Sequence, residues 1–547
     1  MYVVVQMMRP RLSIPLALVA SALLAAATAP LAGARAVGVG EDPRPNILVV
    51  MTDDMALSDI ELMPNVKRLL VRQGTSFTET VTTFPLCCPS RATFLTGQYA
   101  HNHGVIGNFW PFGWYGMRGR KNTLPVWLDR AGYRTALIGK WLNGYGARDG
   151  RGEVPRGFDI WRGLLDVSAY DYGNFVMNRN GSLKTWGDAR FARQLVEFAE
   201  IEVTPHEPGV AAILAQRDEV FGPPPYEYWG TARKRDYSPD VTGRVTARIV
   251  ARQRRSRQPF FIWWSVAAPH REDVAVTILG RPGRDPRPPA RYADQVSDYD
   301  LPRPPSFNEA DISDKASNLT STAPPLGEAA IERLERNYEG RIGSLLAVDG
   351  HVGRLVRTLR RTGQFQNTLI VFTSDNGWLQ GQHRITGDKF LPYEESLLVP
   401  LVLRGPGVPK GRTITRQVGN VDLAPTLVDL ANARAGRTMD GVSLLPGLRD
   451  PSRIPSRVLG IEAPEPLFEG DVPVNRWDRP YSGVRSARYT YVVWTETGEE
   501  ELYDRALDPY QLTNLASDPA HAAIKAYLAA KLAELEDCRG ASCTVSP

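Results

Sequence analysis

Cys87-Cys88-Pro89-Ser90-Arg91 sets a sulfur atom and an arginine four positions apart, with a proline between them. Pro89 suits the first position of a helix, where its φ is already helical and its missing N–H has no partner to lose. Cys87 is then expected just ahead of a helix N-terminus, where unpaired backbone N–H groups and the positive dipole end favour an anion. Arg91 falls one turn into that helix and can share the anion's charge. The plainer reading of the two cysteines is a buried pair of small apolar residues.

Four apolar runs each end at side chains that can do chemistry. Asn46–Met51 leads into Asp53-Asp54, and Tyr133–Gly139 leads into Lys140. Phe260–Val266 leads through Ala267-Ala268-Pro269 into His270, and Thr368–Phe372 leads into Asp375-Asn376. Three carboxylates and one amide oxygen are hard donors, a set that prefers Ca2+, with Mg2+ second, over zinc. Three such carboxylates brought together need a cation, or one of them must hold a proton.

Runs of this kind suit strands covered on both faces of a mostly parallel sheet. In open α/β sheets ligands bind outside the carboxyl ends of the strands, so the four polar sets are expected in one crevice. Ser238-Pro239-Asp240 reads as an N-cap with proline at the first position of a predicted helix that has Val241, Val245 and Ile249 on one face. Arg252, Arg254, Arg255 and Arg257 read as solvated cations favouring its C-terminal dipole end, ahead of a nucleic-acid patch. A second predicted helix runs from about Ala329 to Arg361, with Leu345, Leu346, Val348, Val352 and Leu355 as its buried side. Residues 280–326, Pro-rich and without periodicity, read as a long surface excursion. Beyond about residue 447, an alternating run at Tyr489–Trp494 and a helix over Ala522–Leu535 suggest a smaller α+β unit. The predicted class is α/β: a large mostly parallel sheet sandwiched by helices over residues 44–447, then a C-terminal domain over 448–547.

The chain has 547 residues, 43% of them hydrophobic and 23% charged, a balance that excludes a disordered protein. Its first 36 residues carry Arg9 and Arg11, an apolar run from Ile14 to Ala32, and Ala34-Arg35-Ala36. That is the layout of a signal peptide cleaved after Ala36, which predicts a secreted or periplasmic protein. No later run is apolar enough to cross a bilayer. Cleavage removes three arginines and no acid, so the formal charge of +5 falls to +2, which gives no footing for nucleic acid. Export permits Cys538 and Cys543 to pair as a short-loop disulfide, and two free thiols are the alternative.

The segment from Cys87 through Ala92-Thr93-Phe94-Leu95-Thr96-Gly97 resembles the signature of the type I sulfatases of the alkaline phosphatase superfamily. The resemblance implies an alkaline-phosphatase-like fold. It also implies that a formylglycine-generating enzyme oxidises Cys87 to formylglycine, whose hydrate attacks sulfur to give a covalent sulfo-enzyme. Calcium is then expected on Asp53, Asp54, Asp375, Asn376 and the modified Cys87. Arg91, Lys140, His270 and Lys389 are expected around the sulfate, with His270 or Lys389 as general acid. Lys389 enters through its place in Gly387-Asp388-Lys389, ahead of Pro392-Tyr393-Glu394.

Gly139-Lys140-Trp141-Leu142-Asn143, Cys87-Cys88 and Tyr99-Ala100-His101-Asn102-His103 are similar to the branch that holds N-acetylglucosamine-6-sulfatases and extracellular heparan endosulfatases. Sulfated carbohydrate is therefore the expected substrate, ahead of aryl sulfate. Many sulfatases carry a His where this chain has Leu142, which leaves the base that ejects sulfate open. His103 is one candidate, and a packed structural role suits it equally. Two other functions fit the same residues: a phosphonate or phosphate ester hydrolase of the superfamily, and a non-catalytic sulfated-glycan binder that keeps Cys87 as a thiol. With only seven histidines and Asn376 beside Asp375, a two-zinc site is hard to assemble.

Overall fold

The four runs form adjacent strands: β1 (Asn46–Thr52), β2 (Arg134–Lys140), β3 (Phe260–Ser265) and β4 (Thr368–Ser374). The computed structural model describes residues 42–108, 111–146, 151–166, 168–189, 192, 236–272, 285–464, 468–469, 472–473 and 478–547. The predicted signal peptide lies outside them. Residues 42–547 form one compact unit.

The strands lie in the order β4-β1-β3-β2, all parallel, at the centre of a ten-stranded sheet. Ile160–Leu164 continues the parallel set beside β2. Phe175–Arg179 and Ser182–Trp186 complete that side with antiparallel pairs; beyond β4, Leu401–Arg404 and Thr75–Phe77 add antiparallel pairs and Arg412–Ile414 closes the edge parallel to Thr75–Phe77. The sheet is therefore parallel where the candidate residues sit and mixed on its flanks.

Alternation along the strands divides the core in two. Ile47, Val49, Leu137, Trp263 and Val371 face one layer, which includes Phe94 and Leu95 of helix α1 (Cys87–Thr96). Leu48, Val50, Ile138, Trp264 and Phe372 face the other, covered by α2 (Ser238–Gln253) and α3 (Glu328–Arg361). Both long helices fall within a residue or two of their predicted bounds, and Val241, Ile249, Leu345, Leu346, Val348, Val352 and Leu355 are buried as expected, with Val245 half-buried. Near-complete burial of this kind is worth roughly 1.5–3 kcal/mol per large apolar side chain.

Three expectations change in detail. Helix α1 starts at Cys87 itself, so Pro89 is its third residue. The N–H of a third residue is also unpaired within a helix, and the proline is tolerated there for the same reason. Ser238 is the first helical residue of α2 rather than its cap. The stretch predicted as a surface excursion, described from residue 285, is anchored: Leu301, Ile312, Ala316, Leu319 and Ala323 are buried. Its apolar residues lack a period because they drop into the core from loops and single helical turns such as Ser317–Thr320, too short to repeat a pattern.

At the C-terminus, Leu459–Ala463, Tyr481–Arg485, Tyr489–Trp494 and Glu500–Asp504 form an antiparallel sheet in that order. Leu528, Leu532 and Leu535 of α4 (Ala522–Glu536) pack on one face with Val484, Tyr491 and Leu502. The other face, through Ile461, Tyr481 and Trp494, joins Leu86, Phe390 and Leu391 in one cluster. It thus backs the residues next to Cys87 and Lys389. Cys538 and Cys543 form a disulfide, and neither Cys87 nor Cys88 takes part in one. Among the described residues, no helix is long and apolar enough to cross a membrane.

Candidate active site

Register brings the strand ends level. Thr52 pairs with Ser374, and Ser265 pairs with both Met51 and Gly139. Asp53, Asp375, Lys140 and the turn to His270 therefore leave the sheet along one edge. Gly139 makes this possible: its φ is +113°, and a Cβ there would lie 1.8 Å from the Ser265 carbonyl oxygen. Asp54 takes φ +63°, a left-handed conformation that a short polar side chain tolerates better than most.

All the predicted site residues converge. Cys87 opens α1, with Sγ 3.4 Å from Asp53 Oδ1 and 4.0 Å from Asp54 Oδ1. Lys389 Nζ donates to Cys87 Sγ at 2.8 Å and to Asp54 Oδ1 at 2.5 Å. Lys140 Nζ lies 2.5 Å from Asp53 Oδ2, an ion pair without hydrogen-bond alignment. His270 Nε2 lies 3.5 Å from Asp54 Oδ2, and its Nδ1 donates to the Arg271 carbonyl at 2.7 Å. Arg91 is fully buried. Its Nε donates to Asp375 Oδ2 at 2.7 Å, Nη1 donates to Ser265 Oγ at 2.6 Å, and Nη2 lies 3.4 Å from Asp53 Oδ2.

Burial and mutual repulsion make the carboxylates differ. Burial and the neighbouring Asp53 charge push the Asp375 carboxyl up to about 6, against the opposing pull of Arg91. Asp54 moves the other way: burial disfavours its charge, but Lys389 and His270 outweigh it and hold it below the usual carboxylate range. Burial, then Asp53, pushes the Cys87 thiol up to about 12, so an unmodified Cys87 is a poor nucleophile at neutral pH. Burial opposes the Lys140 and Lys389 ammonium charges, yet Asp53 and Asp54 respectively keep both protonated far above neutrality.

The donor atoms fit a hard cation. Ligand atoms of Asp53, Asp54, Cys87 and His270 all lie within 4.8 Å of one another. Asn376 Oδ1 is buried without a hydrogen-bond partner, and Asp53 Oδ2 and Asp54 Oδ2 face only the charged groups of Lys140, Arg91 and His270, so all three oxygens have lone pairs a metal could take. Asp375 stands slightly apart. Its Oδ1 accepts from the backbone N–H groups of Asp54 at 3.1 Å and Asn376 at 2.9 Å, and its Oδ2 accepts from Arg91. Asn376 Nδ2 donates to Asp54 Oδ1 at 2.7 Å, which turns Oδ1 of the amide free for a ligand.

The sulfatase family profile matches residues 45–433, and that of the N-sulphoglucosamine sulphohydrolase C-terminal region matches 381–538. The chain belongs to the sulfatase family. This sulfatase is a sulfuric ester hydrolase. It is 29% identical to the N-acetylglucosamine-6-sulfatase of Homo sapiens over 91% of its own length and 86% of that protein. Its fold is shared with a protein solved with its substrate D-glucosamine-2-N,6-O-disulfate, at TM-score 0.67 and 22% identity, covering 90% of this chain and 97% of the other. It is also shared with the phosphonate monoester hydrolase of Agrobacterium radiobacter, at TM-score 0.61 and 24% identity, covering 90% and 95%.

Two residues that border the candidate site are not among those the sequence pattern pointed to. The Tyr170 ring lies 4.7 Å from Lys140 Nζ and 4.5 Å from the His270 ring, and its hydroxyl accepts from Asn143 Nδ2 at 2.7 Å. It comes from a single 3-10 turn, Ser168–Tyr170, too short to show a pattern. Arg341 donates to the Asp54 carbonyl and stacks 5.3 Å from the Trp378 ring. A charged residue between Tyr338 and Ile342 on the apolar side of α3 was a usable signal. His103, by contrast, is fully buried, with Nε2 against Thr93 Oγ1 at 3.1 Å and Nδ1 accepting from the Val105 N–H at 3.1 Å. Burial depresses its basicity well below the usual histidine range. The packed role is the one these contacts support.

Proposed function

We propose that this sulfatase is exported and hydrolyses sulfate esters of carbohydrates, with Cys87 matured to formylglycine by a formylglycine-generating enzyme. Asp53, Asp54, Asp375 and Asn376 hold calcium in this reading. The observation that carries it is the meeting of Cys87, at the first position of a helix, with Asp53, Asp54 and Lys389. Formylglycine and calcium together would supply a hydrated, polarised oxygen nucleophile at position 87.

The chain's own side chains do the rest. Arg91, Lys140 and Lys389 match the three carboxylates in charge, so a bound divalent ion leaves the site net positive and attractive to a sulfate monoester. The α1 N-terminus adds its dipole. Arg91, locked between Asp375 and Ser265, orients the carboxylate wall rather than swinging onto substrate. Lys389 and His270 stand where a leaving alcohol needs a proton, and His270 offers Nε2 because Nδ1 is already committed to a carbonyl. Tyr170 braces Lys140 and His270 against each other.

Carbohydrate is preferred over aryl substrates because the human relative, similar along most of the chain, is named for N-acetylglucosamine 6-sulfate. The test couples two readouts on protein made with its maturation enzyme. Peptide mass spectrometry reads thiol or aldehyde at position 87. Sulfate release is compared on N-acetylglucosamine 6-sulfate, p-nitrophenyl sulfate and p-nitrophenyl phosphonate. Aldehyde with sulfate release from the sugar supports the proposal; a persistent thiol, or faster turnover of the phosphonate, refutes it.

A further inference from the structure

We propose that the outer faces of α2 and α3 form a binding surface for a linear sulfated polysaccharide, remote from the active site. The proposal rests on the reading that the substrate is a sulfated carbohydrate. Arg244, Arg248 and Arg252 recur every four residues along α2, and Arg354, Arg357 and Arg361 make a matching row on α3. Residues at this spacing share one face of a helix. All but the half-buried Arg244 are exposed.

The two rows run side by side. His351 of α3 meets Asp240 near the start of α2 at 2.9 Å, and Gln364, just past the end of α3, donates to the Val250 carbonyl near the end of α2 at 3.3 Å. The helices are therefore parallel, with their arginine rows in step over about 12 Å, eight residues of helix. Arg244 registers the crowding: burial, and then Arg248 and Arg354, depress its guanidinium below the ordinary value although Asp240 pulls the other way.

Counter-charges are missing from the surrounding sequence. No Asp or Glu occurs from Val241 to Arg271 or from Gly350 to Ser374. Among the described residues, none of the five exposed arginines pairs with a carboxylate. In a chain whose formal charge is only +5, concentrating cations on one face leaves a local field that a polyanion would neutralise.

The choice of cation narrows the partner. Neither helix contains a lysine. The planar arginine fork matches the oxygens of a sulfate or phosphate, where lysine is only a point charge. The rows carry no aromatic side chains for stacking bases, and no Trp, Phe or Leu is exposed between them to enter a membrane. A polysaccharide whose sulfates repeat along a chain fits two straight rows. Both helices end at the amino ends of β3 and β4, whereas the site lies at the carboxyl ends, so a polymer held here leaves the active site open to another part of it.

The test compares the full-length protein with the variant R248Q/R252Q/R357Q/R361Q. Heparin is the sulfated probe, and duplex DNA and phosphatidylserine vesicles are the alternatives, all at the same salt. Hydrolysis of p-nitrophenyl sulfate is measured alongside. We expect heparin affinity to fall at least about tenfold and its salt dependence to weaken, with small-ester hydrolysis within about twofold of the parent. The two-site variant R248Q/R252Q should fall between. Unchanged heparin binding in both variants overturns the proposal, as does tighter binding of the parent to DNA or vesicles than to heparin. Binding is read without turnover, so a failure of the sulfatase reading shows separately, as no hydrolysis by parent or variant.

Discussion

Lys389 Nζ sits 2.8 Å from Cys87 Sγ although 302 positions separate the two residues. The same ammonium holds Asp54 Oδ1 at 2.5 Å, so one buried cation ties the proposed nucleophile position to a metal-ligand candidate. Lys389→Met keeps the bulk and removes the charge. It should lower kcat/KM on p-nitrophenyl sulfate by about 100- to 1,000-fold, the usual cost of losing one buried electrostatic contact. Far-ultraviolet circular dichroism should stay unchanged; activity within threefold of the parent would remove Lys389 from the mechanism.

Gly139→Ala probes the sheet rather than the chemistry. The added methyl must displace the backbone of Ser265, and the residue must hold a left-handed φ. A loss of at least about 3 kcal/mol is expected, read as a lower denaturation midpoint with unchanged slope.

Calcium should stabilise the protein whether or not substrate is present. At a hundredfold excess over its dissociation constant the gain is about 2.7 kcal/mol, seen as a melting temperature that rises with added calcium and falls with chelator. Asp53→Asn should blunt that response. A melting curve indifferent to calcium and chelator would contradict the metal assignment.

Tyr170→Phe and Tyr170→Leu separate ring from hydroxyl. The phenylalanine keeps the face that borders Lys140 and His270 and should cost less than about fivefold in kcat/KM. The leucine should cost about ten- to a hundredfold, mostly in kcat.

His101 predicts a pH dependence of stability. Its Nδ1 meets Glu462 Oε2 at 2.8 Å and its Nε2 meets the Cys538 carbonyl at 3.0 Å, and since both partners only accept, both nitrogens donate. Burial opposes the charge, but Glu462 and that carbonyl outweigh it and push the imidazole up to about 9. The folded value exceeds the unfolded one, so the stabilisation is complete below about pH 6.5 and disappears as pH rises through about 9. Allowing for its partial exposure, it amounts to up to about 2 kcal/mol. The melting-temperature gap between the parent and His101→Ala should be widest near pH 6 and close by pH 10.

Much of the fold was legible because it rests on local pattern. Asn46–Met51 and Phe260–Val266 are apolar at nearly every position, which only a strand covered on both faces explains, and α3 announces itself through apolar residues at helical spacing. The mixed flanks were not legible: Thr75–Phe77 is three residues long, too short to show a period. The prolines of 285–326 hid an anchored segment for a related reason, since loops and single helical turns leave burial without periodicity.

The amino-acid sequence by itself determined the composition of the site, because Cys87, Asp53, Lys140, His270 and Asp375 each lie at or near the end of an element whose own residues dictate it. Only the tertiary structure decided how these groups are paired. That Asp375 bonds to Arg91 while Asn376 leaves an oxygen unpartnered, and that Tyr170 and Arg341 join the site at all, depends on strand register and on contacts between segments hundreds of residues apart. Local preference sets each element, but the free energy that selects among their arrangements comes from burial and charge compensation shared across the whole core, and no single stretch of chain encodes it.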